Sequence, residues 1–316
     1  PCGGPLHAHN KGKSVEMNDS NELATRDEAV TSKRQKSAPR KKTLKQLYAA
    51  HRGNASDKWA SYLVEYDRIF AEYRNRRVRL LEIGVQNGGS LEIWSQYFAN
   101  AKRIVGCDIN PACARLTYED PRIAVVIGDV NSEAAQAAIL QHSKTFDIII
   151  DDGSHYTSDI VTSFAHCLQY LSYGGVYILE DLHCSYWKNY QGGLYDPFSS
   201  LSFFKRLADT VNHEHWGISK KRSEILKGFF SKYNFHISEK DLATIHSVYF
   251  ANSLCVVRKD KSESNILSRR VISGSVAKID PATLNDRANP SILRDETQNK
   301  WTARSMPPDE EVELRI

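Results

Sequence analysis

The chain has 316 residues, 41% of them apolar, and a formal net charge of +4 at pH 7. That length and apolar content suffice for one sizeable α/β domain with extensions. No uninterrupted apolar run approaches the roughly 20 residues of a membrane-spanning helix, and the six cysteines, at positions 2, 107, 113, 167, 184 and 255, lack the paired spacing of a zinc site or a disulfide framework.

Residues 1–42 are rich in Lys, Ser, Asn and Gly without a sustained apolar period, which predicts a disordered arm. The basic excess is gathered there, in Lys33, Arg34, Lys36, Arg40, Lys41 and Lys42. Such a run reads as a solvated flexible arm, with contact to nucleic acid or an anionic membrane surface as the alternative reading. The N-terminal stretch also lacks the apolar core of a signal peptide, so a cytoplasmic protein is expected.

From Leu44 the pattern changes. Leu44, Leu47 and Tyr48, then Trp59, Tyr62, Leu63, Tyr66, Ile69 and Phe70, recur at helical spacing. They predict a helical lead-in over 43–77, split at Gly53–Asp57, with Ser56 or Asp57 as N-cap of the second helix. A core over 78–258 follows. Strand-like runs at 78–83, 103–108, 123–127, 146–151 and 175–180 alternate with helical stretches near 90–99, 111–118, 131–143 and 157–171. That alternation specifies an α/β, Rossmann-like, mostly parallel sheet covered on both faces. Gly174-Gly175 is expected to end the fourth helix. After an aromatic, Gly-rich insertion and a helix carrying Leu201, Phe204 and Leu207, segments 245–250 and 254–258 flank Ala251-Asn252-Ser253 as a closing hairpin. Residues 259–316 read as a polar tail.

Chemistry in parallel sheets gathers at the carboxyl ends of strands. Gly84-Val85-Gln86-Asn87-Gly88-Gly89-Ser90 is G-x-x-x-G-G rather than a dinucleotide fingerprint, yet its glycines would let backbone amides approach a ligand. Glu82 stands inside an otherwise apolar strand, where a carboxylate needs a partner. Asp108 and Asp129 end the next two strands, where an acid can accept from a ribose diol or approach an adenine edge. Asp108 would serve NAD equally well. Asp151-Asp152-Gly153-Ser154-His155 closes the fourth strand and Asp181 the fifth. Two carboxylates at neighbouring strand mouths suit Mg²⁺ or a similar ion, and His155 is close enough in sequence to take a proton there. Capping of the following helix is the competing reading of Asp152 and Ser154. The aromatics His183, Tyr186, Trp187 and Tyr190 follow at once, as a surface for an acceptor or as ordinary packing.

Leu81-Glu82-Ile83-Gly84-Val85 with Gly88-Gly89-Ser90-Leu91, Val105 to Ile109, Asp151 to His155 and Gly174 to Trp187 resemble the macrocin and mycinamicin sugar O-methyltransferases, within the class I fold that uses S-adenosylmethionine. Ser56-Asp57-Lys58 and Tyr62 to Phe70 also fit, so the resemblance covers roughly residues 43–273. It implies a seven-stranded sheet with a terminal antiparallel hairpin, S-adenosyl-L-methionine over the first glycine turn, and Mg²⁺ binding the vicinal hydroxyls of a small-molecule or glycosylated acceptor. On this resemblance Asp152 and Asp181 match metal acids and His155 the catalytic base. A third acid comes from the lead-in, as Asp67 or alternatively Glu65. Glu82, Gly84, Asp108 and Asp129 match cofactor-contacting positions, and Gly88, Ser90 and Asp151 complete the candidate set. The expected reaction is metal-assisted methyl transfer to a sugar hydroxyl of a natural product or glycan, with homo-oligomerisation left open. Two alternatives stand beside it: an NAD(P)-binding oxidoreductase, which would bind nicotinamide without a metal, and a non-catalytic protein that binds S-adenosylmethionine.

Overall fold

The structure is a computed structural model that describes residues 41–284 and 294–302. The expected disordered arm lies outside the described residues except for its last two positions. The fold set out below is that of the unit beginning at Lys42.

Two helices lead in, α1 (Leu44–Ala50) and α2 (Ala60–Phe70). Thr43 and Gln46 cap α1 reciprocally, each side chain accepting the other's backbone N–H. The residue before α2 is Trp59, which makes no side-chain cap bond. Ser56 and Asp57 are therefore not its caps. Ser56 Oγ pairs with the Tyr48 hydroxyl instead, Asp57 is exposed, and the chain between them and the helix is drawn toward the sheet. Tyr66 and Phe70 stack face to face at 4.9 Å and meet Trp94 edge-on. That buried aromatic seam locks the lead-in to the core.

The sheet has seven strands in the order β3-β2-β1-β4-β5-β7-β6. These are β1 (Arg79–Ile83), β2 (Arg103–Asp108), β3 (Ile123–Ile127), β4 (Phe146–Asp151), β5 (Leu171–Leu179), β6 (Ile245–Ala251) and β7 (Leu254–Lys259). The first five pair in parallel, and β7 runs antiparallel to both β5 and β6. Alternate strand residues enter opposite cores, as the two-residue period of a strand requires. Leu81, Ile83, Val105 and Ile149 pack with α4 (Glu133–His142), α5 (Thr157–Leu168) and α6 (Ser200–Val211). Leu80, Ile104, Ile148 and Ile178 pack with α1, α2 and α3 (Gly89–Tyr97).

Three expectations need correction. Gly174-Gly175 does not end a helix, because α5 stops at Leu168 and β5 begins at Leu171, with Gly174 (φ +72°) absorbing an irregularity inside the strand. The stretch 111–118 forms only a 3₁₀ turn, Pro111–Arg115. Asn110 caps it through Ala112 N, and Pro121 further on biases the chain away from helix. The third is the missing cap of α2. In the described part of the C-terminal tail, Glu296 N donates to Gly217 O at 2.9 Å. No helix among the described residues is long and apolar enough to cross a membrane.

Candidate active site

Chain order reverses across β1, which pairs with β2 on one side and β4 on the other. At that switch point the strand ends diverge and leave a crevice. A cavity of about 470 Å³ opens there, lined by Gly84, Ser90, Asp108, Asp129, Asp151 and Asp152 among others. Its size suits a nucleoside-sized ligand. Gly84 makes the close fit possible: at φ +88° a Cβ would lie 2.0 Å from the Asp152 carbonyl oxygen. Asp152 N in turn donates to Ile83 O, so the end of β1 and the acid after β4 touch.

Asp108 sits at the cavity wall. Its Oδ2 accepts from Val85 N at 2.7 Å and Gln86 N at 2.9 Å, and its Oδ1 from Asn110 N at 2.8 Å. Burial alone would raise its pKa, but these three N–H groups hold the carboxyl below its usual value. Asp151 is fully buried beneath the cavity. Burial pushes its pKa up, against hydrogen bonds from Ser163 Oγ and the Tyr177 hydroxyl, each at 2.5 Å. Asp129 lines the wall and accepts from Asn131 N.

On the wall of the same cavity, one ligand atom each from Asp152, His155 and Asp181 falls within 4.8 Å of the other two. His155 Nε2 is 3.9 Å from Asp152 Oδ1 and 3.7 Å from Asp181 Oδ2. The other oxygen of each acid is tied back. Asp152 Oδ2 takes Lys58 Nζ at 2.5 Å, and Asp181 Oδ1 takes Trp59 Nε1 at 3.0 Å and the Tyr62 hydroxyl at 2.8 Å. Each carboxylate thus has one anchored oxygen and one aimed at a shared opening. His155 (φ +61°) and Asp181 (φ +52°) hold left-handed backbone, a conformation that costs on the order of 1–3 kcal/mol and persists where the surroundings enforce it. His155 Nδ1 is buried without a hydrogen-bond partner.

Lys58 belongs to this site although the strand ends do not announce it. Its ammonium, 2% exposed, also lies 2.7 Å from Glu180 Oε1 and 3.5 Å from Glu82 Oε1. Burial opposes its charge, but Glu180, Glu82 and Asp152 outweigh burial and lift its pKa well above normal. Sequence reasoning does not single out Lys58, Trp59 and Tyr62 as site builders; the signals for them are the family-like Ser56-Asp57-Lys58 run and the start of the Tyr62–Phe70 run.

Other placements differ from expectation. Both Asp67 oxygens accept from Leu44 N at 3.1 Å, at the start of α1, so Asp67 is not brought to the acid cluster. Glu65 pairs with Arg68 and the Tyr249 hydroxyl and is not there either. Acids on a helix at the wrong rotation serve its neighbours. Glu82 lies behind the cavity wall, fully buried, accepting from Ser90 Oγ at 2.7 Å and Trp94 Nε1 at 3.2 Å. Gly88 faces Tyr118 rather than the cavity. Asp152 caps nothing: α5 starts after Tyr156 without a side-chain cap bond, which removes the capping reading of that acid.

Residues 81–182 match a family model described as a methyltransferase domain. The 8-demethyl-8-alpha-L-rhamnosyl tetracenomycin-C 2'-O-methyltransferase of Streptomyces olivaceus is 35% identical over 173 residues, covering 52% of this chain and 45% of that protein. Demethylmacrocin O-methyltransferase of Streptomyces fradiae is 37% identical over 171 residues, covering 50% and 42%. Among solved structures, the MycE methyltransferase from the mycinamycin biosynthetic pathway, in complex with Mg and SAH, is 28% identical, covers 71% of this chain and 56% of that one, and superposes with a TM-score of 0.58. The match spans less than half the length of these two curated relatives.

Proposed function

We propose, with residues 81–182 taken as a methyltransferase domain, that the protein transfers a methyl group from S-adenosylmethionine to a sugar hydroxyl of a glycosylated acceptor. Mg²⁺ or a similar ion would be held by Asp152 and Asp181, and His155 would act as the base. The observation that carries this reading is the paired geometry of the acids, each with one oxygen anchored and the other facing His155 Nε2. Relatives named for O-methylation of rhamnosyl tetracenomycin and of demethylmacrocin support the sugar hydroxyl as acceptor.

The donor sets fit both groups. Carboxylate oxygens are the ligands a hard divalent ion prefers, and acceptor hydroxyls and water would complete its shell. The cavity beside them offers the Asp108 and Asp129 carboxylates, with Gly84 and Ser90, to a nucleoside. When bound, the ion acidifies the acceptor hydroxyl and the sulfonium supplies the methyl group.

The rest falls to the chain. Asp152 and Asp181 orient the acceptor hydroxyl toward His155, and Lys58, Trp59 and Tyr62 keep both acids from rotating away. His155 receives the hydroxyl proton at Nε2, the ring nitrogen that faces the acids. Asp108, fixed by three backbone N–H groups, is pre-set to accept from a diol. The five described cysteines are free and buried, consistent with work in a reducing cytoplasm.

Replacing His155 by Ala should lower turnover by roughly 10²–10⁴, the usual contribution of a general base, while S-adenosylmethionine affinity stays nearly unchanged. Calorimetry alongside turnover on glycosides with vicinal hydroxyls measures both. An equal loss of cofactor affinity would make His155 a structural residue.

A further inference from the structure

Between α1 and α2 the chain runs as an irregular strap, residues 51–59. Ala55, Ser56, Asp57 and Lys58 of this strap line the cavity, beside walls that the strand ends supply. Lys58 and Trp59 hold its far end to Asp152 and Asp181. Its near end is held by one carboxylate. Glu92, in the first turn of α3, accepts from Asn54 N at 2.9 Å through Oε2, and His51 Nε2 lies 3.2 Å from the same oxygen. His51 Nε2 is also 2.8 Å from Asn54 O. Both neighbours of that nitrogen are acceptors, so it carries the hydrogen and shares it between them.

The strap lies close against the start of α3. A Cβ on Gly53 would lie 2.0 Å from Glu92 Oε2, and a Cβ on Gly89 2.0 Å from Asn54 O. Gly89 N, one of the N–H groups that have no partner inside the helix, donates to Ala55 O at 3.1 Å. Two glycines thus let strap and helix touch, and the Glu92 side chain joins them. An acid in the first turn of a helix is ordinarily explained by the helix dipole. That explanation needs only the charge and places no demand on Asn54 or His51.

We propose that Glu92 is a positioning residue for the cofactor: it latches the 51–59 strap as a wall of the cavity, and so raises the affinity for S-adenosyl compounds without touching them. The proposal rests on the methyltransferase reading above. Glu92 is not among the residues that line the cavity, so its effect on a ligand there passes through the strap. Tyr48 holds Ser56 and the acids hold Lys58 and Trp59, which leaves the part of the strap nearest α3 to Glu92 and the Gly89 contact. Releasing Asn54 frees Ala55 and its neighbours to leave the wall.

The test replaces Glu92 in the full chain by Ala and by Gln. Both changes remove the charge from the start of α3 and both residues are good helix formers, but only Gln keeps an oxygen that can accept from Asn54 N. Hydrogen exchange, read by mass spectrometry with fragmentation, follows residues 51–59 without any ligand, and calorimetry in the presence of chelator measures S-adenosylhomocysteine. Glu92→Ala should speed exchange at the Asn54 amide by about ten- to a hundredfold, the worth of a hydrogen bond to a charged group. It should weaken S-adenosylhomocysteine by about three- to thirtyfold, and Glu92→Gln should restore most of both. Equal losses in the two variants would reduce Glu92 to a helix charge, faster exchange with unchanged affinity would show that the strap is no wall, and exchange unchanged in Glu92→Ala would show that there is no latch; each overturns the proposal. Should α3 itself exchange faster in Glu92→Ala, His51→Ala decides, because it removes the other bond to Asn54 and leaves α3 intact: weaker S-adenosylhomocysteine binding supports the latch and unchanged affinity overturns it. An unaltered chain that binds no S-adenosylhomocysteine would overturn the methyltransferase reading and the cofactor role with it, while the exchange comparison would still decide whether Glu92 holds the strap.

Discussion

Lys58 places one ammonium among three carboxylates, those of Asp152, Glu180 and Glu82. One cation does not balance three anions, two of which, Glu180 and Glu82, are fully buried, and burial raises the pKa of both against the attraction of Lys58. Lys58→Met would leave that acid group without its cation. Breaking a buried pair from one side costs about 3–5 kcal/mol. Denaturant unfolding should show a loss of that order, and the double variant with Glu180→Gln should recover part of it; a double variant no more stable than the single one would contradict this account of Lys58. Apart from the family-like Ser56-Asp57-Lys58 run, nothing in the sequence announces such a role, because a lysine in a short polar loop reads as solvated. Asp152, His155 and Asp181 were legible for the opposite reason, since strand ends in a parallel sheet converge whatever the side chains are. The third acid expected from the lead-in is not brought to the cluster. Helical spacing marks Asp67 as a residue of α2 but says nothing of which neighbour takes its oxygens, and Leu44 N does.

The turn after β1 joins two halves of the site. Gly84 allows the first strand end to lie against the backbone of Asp152, and that contact places the cavity next to the acids. Gly84→Ala should destabilise the fold by at least about 2 kcal/mol, from a backbone conformation alanine rarely adopts and a contact no rotamer relieves. It should also weaken S-adenosylhomocysteine binding, since Gly84 lines the cavity. Unfolding curves and calorimetry on this variant check both, and a stability change within about 0.5 kcal/mol would show the contact to be slack. The elements around this turn were readable because each buried strand is a short apolar run between turn signals. Where boundaries slipped, a local device prevailed: Gly174 carried a strand through its irregularity, and the Asn110-Pro111 turn shortened a helix to a single 3₁₀ turn. The uncapped start of α2 has a functional counterpart, since Lys58 and Trp59 are engaged with Asp152 and Asp181.

Across the molecule, the lead-in and the sheet form one site from distant parts of the chain. Lys58, Trp59 and Tyr62 precede the first strand, yet they anchor acids that follow the fourth and fifth. The alternation of strands and helices predicts the parallel sheet and the Ala251-Asn252-Ser253 turn its hairpin, but no periodicity links residue 58 to residue 152, and only the folded chain reveals that pairing. The central claim is that the cavity takes an adenosyl cofactor and the neighbouring acids a divalent ion. Calorimetric titration of the full chain with S-adenosylhomocysteine and with NAD⁺, each with Mg²⁺ and with chelator, tests it most directly, repeated on Asp152→Asn. The account predicts binding of S-adenosylhomocysteine and not NAD⁺, with a separate Mg²⁺ signal that Asp152→Asn abolishes. Preference for NAD⁺, or no adenosyl binding at all, would contradict it.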